Sequence, residues 1–187
     1  VVASGAAARP FITHHNALDA DFYLRIAPEL FLKQTIAAGF DRVFEMGKNF
    51  RNEGMDAMHL QEFTMLEWYA AYWDYNDNIK FTWELIQDLL MKCRGTLQIE
   101  YQGTKLDFSK YEMIDYTAKM NEFFGCDILD FDDVNVLRQK LVDAGMFPMS
   151  ELEDLKSIPA LVDYVYKRKI RGNIVNPTFL YNYPAYM

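Results

Sequence analysis

The sequence predicts an α+β fold, an antiparallel β-sheet flanked by helices and carrying an inserted helical block. Three observations predict it. Two extended segments, residues 42–50 and 62–72, bracket the polar stretch 51–61 and read as a long hairpin. Residues 111–172 then follow a helical period, broken at Gly125, at Gly145-Met146-Phe147-Pro148 and in the Asp-rich stretch 127–133. Strand-like sequence returns over residues 177–183. Strands, then a helical block, then a strand is the order expected when helices lie on one side of an antiparallel sheet.

Each element has a local reason. Ser4-Gly5-Ala6-Ala7-Ala8-Arg9-Pro10 is small-residue loop material, and Phe11-Ile12-Thr13 reads as a short strand. Pro28 sits where a helix can begin, Glu29 falls in the first turn, and Leu30, Phe31, Ile36 and Ala37 recur at helical spacing before Gly39 stops the run. Residues 76–93 form an amphipathic helix that ends before Gly95. Within residues 98–108, Tyr101-Gln102-Gly103-Thr104 is a tight hairpin turn.

Composition bounds the function. A chain of 187 residues that is 51% hydrophobic has material for one sizeable core. Its formal charge of -8 opposes contact with a phosphate backbone, so the chain is not itself a basic RNA-binding module. Cys93 and Cys126 lie in no CxxC or CxxH arrangement, which argues against a zinc site or a disulfide framework and fits a reducing, cytoplasmic setting. No apolar run approaches the roughly 20 residues that span a bilayer, and the opening residues lack the order of a signal peptide. The chain opens on Val rather than Met and closes on Tyr-Asn-Tyr-Pro-Ala-Tyr-Met, so both ends read as cut from something longer.

The hairpin carries the chemistry. Residues two apart on a strand share a face, so Phe63, Met65, Glu67 and Tyr69 line one side, and Thr64, Leu66 and Trp68 line the other. A carboxylate on a core-facing side is costly unless paired. A pocket that receives a cation removes that cost for Glu67, as does a plain salt bridge within the sheet. Glu29 has an equally plain reading as an acidic residue favoured by the helix macrodipole. Arg51 at the end of a strand offers a rigid fork to carboxylate or phosphate, and an aromatic across the hairpin offers a stacking platform for a base. One hairpin can thus hold a phosphate and a purine together.

Phe50-Arg51-Asn52-Glu53 with Glu62-Phe63-Thr64-Met65-Leu66-Glu67 resembles motif two of the class II aminoacyl-tRNA synthetases. Ala8-Arg9-Pro10-Phe11-Ile12-Thr13-His14-His15-Asn16-Ala17-Leu18-Asp19 and Tyr23-Leu24-Arg25-Ile26-Ala27-Pro28-Glu29-Leu30 resemble the lysine-specific family in particular. The likeness covers roughly the first 75 residues, with a weaker match near the C-terminus. It implies a partial synthetase catalytic domain over 1–187, with a motif-two core at 1–110, a helical insertion at 111–175 and a return to the core sheet at 176–187.

The roles the resemblance implies are as follows. Arg51, the catalytic residue, clamps the ATP α-phosphate and the lysine carboxylate. Glu53 meets the adenine amino group, Phe63 stacks on the adenine, and His59 reaches toward the outer phosphates. Glu29 holds the α-amino group with the Gly5 backbone nearby, while Glu67 and Tyr69 read the ε-amino group. Lysine, ATP and tRNA(Lys) are the implied partners, with a homodimer for the full-length protein and no membrane. Magnesium is the implied cofactor, its ligands lying outside this chain together with motifs one and three, so the isolated chain is expected not to form adenylate.

Where the lysine family commonly has Arg directly before the His and Asn-Pro after it, this chain has Met58 before His59, then Leu60-Gln61. Two alternatives stay open: a paralogue that attaches lysine to a protein acceptor, and a non-catalytic module that binds lysine or nucleotide. Other residues carry plainer readings. His14 and His15 point to opposite sides of an extended segment and make a poor metal pair, and no metal ligand is assigned. Lys167, Arg168, Lys169 and Arg171 read as a solvated helix end, and Phe123, Phe124 and the methionines as core filling.

Overall fold

The structure, a computed structural model, describes residues 5, 6, 8–54 and 59–187. The chain divides into two compact units, residues 1–78 and 79–187.

The first unit opens with a hairpin of β1 (Ile12–His15) and β2 (Ala20–Tyr23), turning at Asp19 with φ 45°. His14 Nδ1 meets Asp21 Oδ1 at 3.1 Å across this hairpin, and the His15 ring lies 5.2 Å from that of Phe22. Helix α1 (Glu29–Ala37) begins directly after Pro28, whose carbonyl accepts from the amides of Phe31 and Leu32. It ends where Gly39 takes φ 101°, a left-handed conformation that glycine adopts without steric cost.

Strands β3 (Arg42–Phe50) and β4 (Glu62–Ala70) pair antiparallel along their whole length, so Val43 faces Tyr69, Glu45 faces Glu67, Gly47 faces Met65 and Asn49 faces Phe63. Burial alternates down both strands, with these eight residues more covered than Phe44, Met46, Lys48, Thr64 and Leu66 between them. The period-2 reading of the hairpin therefore holds. The amide of Phe50 donates to Arg25 O at 2.8 Å and that of Asn52 to Arg9 O at 2.7 Å, fastening the end of β3 to the two preceding segments.

The unit boundary falls in the first turn of α2 (Tyr75–Arg94), a helix capped by Asp74, whose Oδ1 accepts from the amides of Asn76 and Asp77. In the second unit, β5 (Gln98–Tyr101) and β6 (Thr104–Asp107) form the expected hairpin, with Gln102 and Gly103 both at positive φ. Four helices follow: α3 (Tyr116–Phe124), α4 (Val134–Asp143), α5 (Met149–Leu152) and α6 (Ile158–Val165). Asp115, Asp133 and Ser157 cap α3, α4 and α6 through side-chain oxygens. Their apolar faces close around Met120, Ile128, Leu137, Leu161 and Val162, each 0% exposed.

The α+β class stands, but the strands do not pair as one antiparallel sheet. The described residues hold four two-stranded sheets. Residues 112–115, placed above within the helical run, form strand β7 (Glu112–Asp115), and β8 (Thr178–Tyr181) runs parallel to it. Four residues are too few to interrupt a helical period visibly. The strand is held instead by distant partners: Glu112 N donates to Pro177 O at 2.9 Å, and Phe179 packs edge-on against Tyr111 at 5.1 Å.

Candidate functional site

The inward face of the β3–β4 hairpin meets the start of α1, and this junction gathers the residues singled out from the sequence. Glu67 and Tyr69 project from β4 on that face. The Tyr69 hydroxyl donates to Glu67 Oε1 at 3.5 Å, while Glu67 Oε2 is buried with no hydrogen-bond partner among the described residues. A buried carboxylate oxygen left unsatisfied is costly, and a ligand ammonium would satisfy it.

Burial, and next the charge of Glu29, lift the Glu67 carboxyl above the usual carboxylate range, against the opposing effects of the Tyr69 hydrogen bond, Arg51 and Lys33. Tyr69 is pushed up to about 12, by burial first and then by Glu67 and Glu29, so the phenol stays a donor at neutral pH.

Glu29 closes the other side. Gly5, at φ 95°, lies so near that a Cβ there would fall 2.8 Å from Glu29 Cβ and 3.2 Å from Glu29 Oε2. Only glycine fits both that conformation and that approach. Gly5, Glu29, Glu67 and Tyr69 are therefore brought together, with the Arg51 charge felt by Glu67.

Arg51 is set by its neighbours. Its amide donates to Gln61 O at 2.8 Å and its Nε to Ile26 O at 3.4 Å, and the guanidinium carbon lies 5.1 Å from the centre of the Phe63 ring. Arg51, Glu53, Gly54, His59, Leu60 and Phe63 line a cavity of about 540 Å³. That is room for a nucleotide base beside a guanidinium fork. Met58 lies outside the described residues. Among the described residues no group of three or more His, Cys, Asp or Glu could hold a metal ion, and no helix is long and apolar enough to cross a membrane.

Sequence reasoning missed several parts. Arg25 pairs with Glu45 and donates from Nε to Lys48 O at 3.0 Å, crossing β3 where Gly47 leaves space; a Cβ on Gly47 would fall on Arg25 Nη2. This crossing gives Glu45, directly opposite Glu67, its own cation and leaves Glu67 to the pocket. Asn49, 0% exposed, keeps both amide atoms without partners beside Phe63. Lys33 also pairs with Glu29, a contact that the four-residue spacing on α1 could have signalled.

Comparison with known proteins adds a second line. The family model described as tRNA synthetases class II (D, K and N) matches residues 1–187. The lysine–tRNA ligase of Aquifex aeolicus is 44% identical over 98% of this chain, which covers 30% of that protein. Those of Thermotoga maritima and Carboxydothermus hydrogenoformans are 45% and 42% identical over 98% of the chain, covering 36% and 37% of their lengths. The chain spans about a third of the curated relatives it matches.

Proposed function

The chain belongs to the class II tRNA synthetases of the D, K and N group, and on that premise we propose that it supplies the amino-acid and nucleotide pockets of a lysine–tRNA ligase. The observation that carries the reading is the single face on which Glu29, Glu67, Tyr69 and Arg51 converge beside the cavity of Arg51, Glu53, His59 and Phe63.

In this reading Glu67 Oε2 and the Tyr69 hydroxyl receive the ε-ammonium of lysine, while Glu29 and the Gly5 backbone receive the α-ammonium. Arg51 holds the lysine carboxylate against the α-phosphate of ATP. Phe63 supports the adenine, Glu53 reads its amino group, and His59 faces the outer phosphates. The lysine carboxylate attacks the α-phosphorus, pyrophosphate leaves, and the lysyl group passes to the terminal ribose of tRNA(Lys). No protein nucleophile takes part, so catalysis lies in alignment of two anions and in the charge that Arg51 neutralises. Magnesium would screen the phosphates when bound; the described residues offer no cluster that fits it.

The same reading gives the chain a motif-two core at 1–110, a helical insertion at 111–175 and a return to core at 176–187, and makes the full-length protein a cytoplasmic homodimer. Support for the insertion is that α3 to α6 all lie between the paired strands β7 and β8.

The test is thermal stability of the chain with lysine, arginine, ornithine and a non-hydrolysable lysyl-adenylate analogue, followed by ATP–pyrophosphate exchange by the full-length protein. A ligand that binds the folded state raises its melting point. The expected order is analogue, then lysine, then arginine and ornithine, with exchange dependent on lysine. Exchange driven equally by another amino acid would sink the proposal.

A further inference from the structure

We infer that Lys33 is a resident counter-cation of the amino-acid pocket, held on Glu29 beside Tyr69 when the site is empty and displaced by the α-ammonium of the incoming lysine. The inference rests on the lysine reading above.

Lys33 lies one helical turn after Glu29 on α1, and its Nζ donates to Glu29 Oε1. A pair at this spacing usually runs along the outside of a helix, where solvent screens it. Here the ammonium also reaches a second element, lying 5.8 Å from the centre of the Tyr69 ring on β4. Its charge is felt at the Glu67 carboxyl as well. One lysine ammonium thus already touches the carboxylate assigned to the substrate's α-ammonium, against the ring of the residue assigned to its ε-ammonium.

Charge balance gives the direction of exchange. In the empty pocket Glu29 and Glu67 face Arg51 and Lys33, two anions against two cations. Free lysine brings two ammonium groups and one carboxylate. If Lys33 stayed, the pocket would hold an uncompensated positive charge; if it swings to solvent, neutrality returns. The Lys33 side chain is 54% exposed, so that movement needs no repacking. Glu29 Oε2 is turned toward Gly5 while Lys33 holds Oε1, so an ammonium arriving beside Gly5 meets a carboxylate whose charge Lys33 already balances.

The experiment is calorimetric titration of the full-length protein and its Lys33→Met and Lys33→Gln variants with lysine, norleucine and 6-aminohexanoate. The last has the ε-ammonium and the carboxylate but no α-ammonium, so it has no quarrel with Lys33. Lysine is expected to bind about five-fold tighter to both variants, the scale of one exposed ion pair with a weak cation–π contact. Binding of 6-aminohexanoate should stay within about two-fold, because its ammonium goes to Glu67. Unchanged or weaker lysine binding in both variants would overturn the inference, and so would equal tightening of 6-aminohexanoate, which would indicate a general charge effect. Wild-type protein that prefers norleucine to lysine would overturn the lysine reading itself, and the inference with it.

Discussion

Among the described residues, the first unit buries Ile26, Ala27 and Leu32 as its hydrophobic side chains, whereas the second buries a continuous cluster from Tyr116 to Ile170. The first unit relies on a nine-residue strand pair, on Arg25 across Gly47 and on amide hydrogen bonds to the carbonyls of Arg9 and Arg25. The second unit also has a buried cation, but each nitrogen of Arg138 has a partner there: it donates to Leu152 O at 3.0 Å, Leu155 O at 2.6 Å and Asn135 Oδ1 at 2.7 Å. Among the described residues, Glu67 Oε2 and both amide atoms of Asn49 are buried without a hydrogen-bond partner in the first unit, against the Tyr116 hydroxyl alone in the second. A satisfied polar group inside a core is architecture, and an unsatisfied one on a pocket face is capacity for a ligand.

Substitutions that separate stability from chemistry test this contrast. The largest effect is expected at Arg51: Arg51→Ala should lower lysine-dependent exchange in the full-length protein by about 10²–10³-fold, the loss typical of removing one charge-stabilising donor, with little change in melting temperature. A comparable loss of stability in place of activity would break the distinction. In the second unit, Leu161→Ala removes a side chain that is 0% exposed and should cost about 2–5 kcal/mol in denaturant unfolding. Lysine affinity should hold wherever the chain stays folded.

Glu67→Gln should do both things at once and in opposite directions. Because the folded carboxyl titrates above its unfolded value, the stability it contributes is fully present below the unfolded pKa and is lost as pH rises through the folded one. The glutamine variant should therefore melt higher at pH 7, with no gain at pH 4. Its preference for lysine over norleucine should fall at least about tenfold. In the unsubstituted protein, lysine binding should strengthen as pH rises through the same window, since the ionised carboxylate receives the ammonium. The smallest effect is expected at Lys48, whose Nζ meets Glu62 Oε1 at 2.6 Å on an exposed face. Lys48→Ala should change stability by about 0.2–1 kcal/mol at most, and an effect above that would show the outer face to matter more than its exposure indicates.

What the sequence revealed follows from the range of the forces involved. The hairpin and the start of α1 were legible because period-2 alternation, Pro28 and Gly39 act on their own neighbours. The pocket residues could be named through their motifs. Of their cations, Lys33 could be given to Glu29 by the four-residue spacing on α1, but Arg25 could not be given to Glu45, because only the folded hairpin brings those two together. Strand β7 escaped for the same reason, since its partner lies far along the chain. Gly47 leaves the space that Arg25 crosses, a role that no local pattern in the strand signals.

The parallel pairing of β7 with β8 has a consequence for how the molecule is made. Asn182 Nδ2 donates to Asp115 Oδ2 across 67 residues of chain, so this contact cannot form until the ribosome has delivered nearly all of the second unit. The helices between them can collapse earlier through contacts closer in sequence. Closing so long a loop is slow but adds little entropy beyond a shorter one. The expected order is that the helical cluster gathers through its nearer contacts and β8 docks late, which pulsed hydrogen exchange during refolding would check.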